Sequence, residues 1–231
     1  MMDVDRFKKL PLMGIVRGVS MEDVEPLLEA SIGAGLETIE VTMNTPGAPE
    51  MLSRMREISA GRAMVGAGTV LSKSDLDAAL DAGAGFIVTP VFDGNIVRSC
   101  IEKDIPVFPG ALTPREVFMA HEAGATMVKV FPSSAFGPGY IKALKGPFDG
   151  VRLMAVGGVN LENVDEYFSS GADAIAFGAG VFKKEWIEAK DFTSIGNLIR
   201  KFVTVVKEAK ACHPGNPERS EGFPGSNKII M

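Results

Sequence analysis

Apolar residues fall along this chain in two alternating rhythms. Short runs of β-branched and apolar residues recur at intervals of roughly 20 to 25 residues, each followed by a stretch with helical spacing of its apolar positions. The runs are Gly14 to Val16, Thr38 to Thr42, Met64 to Gly66, Phe86 to Thr89, Val107 to Phe108, Met127 to Phe131, Leu153 to Val156 and Ala174 to Phe177. This alternation is the pattern of parallel strands joined by crossover helices. Eight such units in about 200 residues predict a single-domain α/β fold, a (β/α)8 TIM barrel near the lower end of its usual size. An open doubly wound sheet is the other arrangement the pattern admits.

Boundary signals agree with the periodicity. Ser20 with Asp23, Ser72 with Asp75, and Thr113-Pro114-Arg115-Glu116 each place a capping residue three positions before an acid, the signature of a helix start. Ala34-Gly35, Ala82-Gly83, Ala123-Gly124 and Ser170-Gly171 supply glycines that end a helix in the left-handed conformation. The last helix is expected from about Phe192 to Lys210. From Cys212 onward the composition turns to Pro, Gly and polar residues without periodicity, which divides the chain into a barrel over 1–211 and a disordered tail over 212–231.

Composition narrows the choice of ligand. Of 231 residues 46% are hydrophobic and 23% charged, which suits one globular domain with a substantial core. A formal net charge of -5, without a cluster of Lys and Arg among aromatics, argues against a nucleic-acid partner and for a small molecule. Charges at Asp3, Asp5, Arg6, Lys8 and Lys9, and the lack of a long apolar stretch later, point to a cytoplasmic protein with no membrane association. Cys100 and Cys212 form no C-x-x-C pair, and His121 and His213 are too few and too far apart for a zinc cluster. The cysteines read as inert thiols, and neither a metal nor a cofactor is expected.

In a barrel the chemistry lies at the carboxyl ends of the strands. Lys129 stands inside the apolar run Met127-Val128-Lys129-Val130-Phe131 and Glu40 inside Ile39-Glu40-Val41. A charge on a buried strand costs several kcal/mol unless it is neutralised, paired or used. The two could form a buried structural ion pair. Alternatively, with no metal expected, a lysine and a carboxyl suit Schiff-base chemistry on a carbonyl: a neutral Lys129 amine attacks a ketone and Glu40 shuttles protons. Arg17, at the end of the first run, could clamp a carboxylate or close the barrel end with a salt bridge. Thr69 could donate to the same carboxylate or begin the next helical turn. Pro90 and Phe131 read as pocket walls or as ordinary packing. The turns at Gly157-Gly158 and Gly178 could expose backbone N–H groups to an anion.

At these residues the sequence resembles the class I 2-keto-3-deoxy-6-phosphogluconate (KDPG) and 4-hydroxy-2-oxoglutarate aldolases, from about Phe7 to Lys210. The resemblance is carried by Ile39-Glu40-Val41-Thr42, Val65-Gly66-Ala67-Gly68-Thr69-Val70, Ile87-Val88-Thr89-Pro90, Val128-Lys129-Val130-Phe131-Pro132 and Val156-Gly157-Gly158-Val159. It implies reversible cleavage of a 2-keto-3-deoxy sugar acid phosphate to pyruvate and glyceraldehyde 3-phosphate, or of 4-hydroxy-2-oxoglutarate to pyruvate and glyoxylate, by a homotrimer without cofactor. Carried over by motif, Lys129 is the Schiff-base lysine and Glu40 the general acid and base. Arg17 and Thr69 hold the pyruvyl carboxylate, Pro90 and Phe131 line the pocket, and Gly157, Gly158 and Gly178 approach the phosphate.

Several members carry arginine at the position of Asn44, threonine at Val156 and serine at Ala179. Here the phosphate grip falls to backbone amides and to Ser133 or Ser134. Met43-Asn44-Thr45-Pro46 and Phe131-Pro132-Ser133-Ser134-Ala135-Phe136-Gly137-Pro138 look more like the galactonate-type relatives, which cleave the C4 epimer. Two other readings remain at this point: a phosphate-binding isomerase or epimerase in which Lys129 acts only through its charge, and a non-catalytic barrel that senses a phosphorylated metabolite.

Overall fold

A computed structural model describes residues 1–212 of the chain. The proposed tail therefore lies outside the described residues except for Cys212, with which the last helix ends. The order of elements is α1 (Val4–Lys9), β1 (Leu12–Val16), α2 (Met21–Gly33), β2 (Thr38–Thr42), α3 (Ala48–Ser59), β3 (Met64–Gly68), α4 (Lys73–Asp81), β4 (Ile87–Val88), α5 (Gly94–Ile101), β5 (Val107–Phe108), β6 (Gly110–Ala111), α6 (Pro114–Glu122), β7 (Val128–Val130), α7 (Pro138–Lys145), β8 (Leu153–Val156), α8 (Val164–Ser169), β9 (Ala174–Phe177), α9 (Lys184–Glu188) and α10 (Phe192–Cys212). All strand pairings are parallel, in the order β5-β4-β3-β2-β1-β9-β8-β7-β6.

The eight expected units are present, but the fifth run, Val107 to Phe108, forms β5 alone and a second short strand, β6, follows it. Pro109 stands between β5 and β6 and has no N–H to give a ladder. β5 pairs with β4, and β6 pairs with β7. The Pro109 carbonyl itself accepts the N–H of Lys129 at 2.9 Å. The barrel thus closes through a proline, beside the lysine that the sequence singled out.

Capping chemistry sets the helix starts. Ser72 with Asp75 and Thr113 with Glu116 form reciprocal capping boxes. Ser20 departs from the expectation: its hydroxyl donates to Asp23 Oδ2 at 2.7 Å and caps no backbone N–H. The four helix-ending glycines all stand at positive φ.

Alternation along each strand separates two cores. Ile39, Val41, Val128 and Val130 face the layer between sheet and helices. Met13, Met64, Phe86, Phe108, Met127 and Met154 fill the barrel interior. The amino end is plugged by Phe7 of α1, which meets Phe108 edge-on at 5.7 Å between ring centroids. With that end packed shut, the open end of the barrel is the one where β2 presents Glu40 and Thr42, and β7 presents Lys129.

Candidate active site

Strand register places Lys129 in the interior. It is level with Gly110 of β6 and Met154 of β8, and its neighbours Val128 and Val130 point the other way. Only 6% of the residue is exposed. Burial lowers its pKa below the usual lysine range; nearby Glu40 opposes the shift and Arg17 adds to it. The amine lies 5.2 Å from the centroid of the Phe131 ring.

Glu40 projects from β2 into the same interior and is 1% exposed. Burial raises its pKa to about 7, although Lys129 and Arg17 both pull it down. Among the described residues no donor, Lys129 included, hydrogen-bonds either carboxyl oxygen. The structure thus does not contain the buried hydrogen-bonded pair that would make these charges purely structural. A buried carboxyl left without a partner costs several kcal/mol, and such expense is a mark of a functional group.

Room for this carboxyl comes from Gly68. A Cβ at that position would collide with Glu40 Oε1, so glycine lets the carboxyl keep this position. The signal was available in the sequence, because Gly66 and Gly68 fall on one face of β3 at a spacing of two, yet the motif reads there only as a strand end.

Thr69 does not begin a helix, since α4 starts four residues beyond it, capped by Ser72. Its φ of 55° is left-handed, a strained choice for a β-branched residue. In that conformation its hydroxyl accepts from Arg17 Nη2 at 3.3 Å. Arg17 forms no ion pair among the described residues, so the alternative of a barrel-closing salt bridge is set aside.

Arg17, Thr69, Pro90, Lys129, Phe131, Gly157, Gly158 and Gly178 all line one cavity of about 490 Å³, and Glu40 lies beneath it against Gly68. Sequence reasoning gave no place to Ile15 and Asn160, which line the same cavity. Their polarity carries no signal; only the barrel brings them there.

At the far wall Gly157 and Gly158 are both left-handed, at φ 91° and 77°. They run close under Phe131 and Ser134, where a Cβ on Gly158 would lie 2.6 Å from that of Ser134. Among the described residues their N–H groups meet no acceptor. Successive free amides in such a turn form an anion-binding concavity. Ser133, expected as part of the phosphate grip, is committed elsewhere. Its buried hydroxyl donates to the Val130 carbonyl at 2.8 Å and accepts the Val156 N–H at 3.0 Å. It ties β7 to β8 where the strand ladder ends. Ser134, exposed and against Gly158, remains.

Fold and site together define a class: parallel (β/α)8 barrel enzymes with a desolvated lysine and a carboxyl near the carboxyl ends of their strands. The family model for KDPG and KHG aldolase matches residues 4–198. The chain belongs to that family and is an aldolase, a lyase. It is 37% identical over 177 residues to 2-dehydro-3-deoxy-6-phosphogalactonate aldolase of Escherichia coli K12, covering 76% of this chain and 86% of that one. With the 2-dehydro-3-deoxy-phosphogluconate aldolase of Treponema pallidum it shares 31% identity over 204 residues, 88% of this chain and 95% of the relative. A structure of the Legionella pneumophila KDPG aldolase, in which pyruvate is captured as a covalent carbinolamine, superposes with a TM-score of 0.78. It is 27% identical, over 84% of this chain and 94% of that one.

Proposed function

We propose that this protein is a class I aldolase that cleaves 2-dehydro-3-deoxy-6-phosphogluconate, 4-hydroxy-2-oxoglutarate, or both, to pyruvate and an aldehyde. The observation that carries this reading is the Glu40 carboxyl, unpartnered among the described residues and with a pKa raised to about 7, buried beneath the cavity that the desolvated Lys129 amine lines. A group titrating near neutrality can both give and take a proton at working pH.

The steps follow from this geometry. The neutral Lys129 amine adds to the C2 ketone to form a carbinolamine. Glu40 protonates the departing hydroxyl, and water leaves an iminium. Glu40, now ionised, removes the proton of the C4 hydroxyl; the C3–C4 bond breaks, its electrons move into the iminium to give an enamine, and the aldehyde departs. Return of the proton to C3 and hydrolysis release pyruvate and the free amine. Arg17 and Thr69 grip the keto-acid carboxylate. Phe131 and Pro90 wall the reacting carbons, and the amides of Gly157 and Gly158, with the backbone at Gly178, face the aldehyde's phosphate.

Incubation with pyruvate and borohydride, followed by peptide mapping, tests the assignment. A reduced pyruvyl adduct on Lys129 is the expected result, with turnover in Lys129→Met down by at least ~10³-fold in folded protein. No adduct in folded protein that binds pyruvate would instead favour the isomerase or sensor reading.

The galactonate epimer is a second substrate to test, supported by the 37% identity to the Escherichia coli galactonate-type enzyme. The ratio of kcat/KM for the two epimers decides between them. A homotrimer in the cytoplasm completes the reading. Association is supported by exposed apolar residues beyond β3 and β4, Leu71 and Val91, each 55% exposed.

A further inference from the structure

The backbone that carries Arg17 is held by two buried hydroxyls outside the cavity. Arg17 directly follows β1, and its neighbour Gly18 stands at φ 66° with nothing within 4 Å of the place a Cβ would occupy. The next residue, Val19, is buried in the core, but Gly18 itself is held by a hydrogen bond from its N–H to Thr45 Oγ1 at 3.0 Å.

Thr45 is 3% exposed and lies in the turn after β2, where its own N–H donates to the Thr42 carbonyl at 2.9 Å. Its hydroxyl also shares a hydrogen bond of 3.1 Å with the hydroxyl of Thr42. Thr42 is fully buried, on the same face of β2 as Glu40 and one step nearer the mouth. The chain of contacts therefore runs from the strand that bears Glu40 to the loop that bears Arg17. Gly18 is exposed, so water could satisfy its N–H, and stability alone does not demand a buried hydroxyl as its partner. Orientation does, because a guanidinium grips a carboxylate well only in one plane and direction.

We propose that Thr45, backed by Thr42, is a positioning residue that sets where the Arg17 guanidinium meets the substrate carboxylate. The inference rests on the reading of Arg17 as the carboxylate clamp. It is tested by the pyruvate concentration that half-saturates borohydride inactivation. That quantity is measured in the wild type, Thr45→Val, Thr45→Ser, Arg17→Met and the Thr45→Val/Arg17→Met double variant.

Thr45→Val should raise the half-saturating concentration about tenfold, the upper range for one lost hydrogen bond. Thr45→Ser should restore it, and Arg17→Met should raise it at least as far. In the Arg17→Met background Thr45→Val should add nothing. Additive effects would mean that Thr45 acts independently of Arg17, which overturns the inference. So would an unchanged Thr45→Val when Arg17→Met is impaired. An unimpaired Arg17→Met would overturn the clamp reading itself and the inference with it, a failure distinguishable from the other two. Should Thr45→Val not fold, Thr42→Val makes the same comparison from the other end of the hydroxyl pair, with a smaller rise expected.

Discussion

Among the described residues two lysines are buried, and their surroundings separate structure from chemistry. Lys145 donates to Asp173 at 2.6 Å and to the Val151 carbonyl at 2.6 Å, the behaviour of a charge buried for architecture. Lys129 faces a carboxyl that no donor among the described residues satisfies. The directions of the two titrations lead to a pH prediction. Above about 7 Glu40 is ionised, and its negative charge raises the pKa of Lys129 against the lowering by burial. Glu40→Gln removes that opposing influence, so the Lys129 amine should become neutral, and reactive, at lower pH than in the wild type. Amine-directed labelling of Lys129 across pH, read by peptide mapping, should shift its midpoint downward while aldol turnover falls by about 10²- to 10⁴-fold. An upward shift of the labelling midpoint would sink this account of the pair.

At the scale of elements, capping patterns are local and were legible: the boxes at Ser72 with Asp75 and Thr113 with Glu116 form as their spacing predicts. Ser20 with Asp23 shows the same spacing, but its acid is claimed by a distant partner. Lys190, between α9 and α10, donates to Asp23 Oδ1 at 2.5 Å and to Glu22 Oε1 at 2.9 Å, fastening the end of the barrel to the start of α2. Burial pushes the Asp23 carboxyl up, but hydrogen bonds from Lys190 and Ser20 outweigh it and hold the pKa below its ordinary value. A carboxyl with a depressed folded pKa contributes stability above its unfolded pKa and loses it as pH falls through the folded value. Lys190→Met should therefore lower the unfolding temperature at neutral pH. In thermal unfolding the deficit should shrink below about pH 4. A deficit independent of pH would point to packing by the lysine stem instead.

For the molecule as a whole, the amino end of the barrel is filled by Phe7, Phe86 and Phe108, and a shallower hollow of about 260 Å³ beside Met2, Arg6 and Gly61 lies at that end. The larger cavity, at the carboxyl ends, is the one that holds the candidate chemistry. Leu71 and Val91 leave apolar surface in water beyond β3 and β4. Light scattering should return three times the 24.5 kDa of one chain, and Leu71→Asp with Val91→Asp should reduce that mass. A wild-type monomer would end the trimer proposal.

The sequence by itself determined the eight strand–helix units and the inward face of Lys129 and Glu40. Both follow from short-range periodicity, because a strand alternates its side chains and a helix repeats its own. Tertiary structure alone decided that the two groups approach without a hydrogen bond between them, that Ser133 is spent joining β7 to β8, and that Pro109 closes the barrel. Those outcomes depend on distances between strands far apart in sequence. Such distances arise only when the sheet curls and closes, with a register that local patterns do not contain.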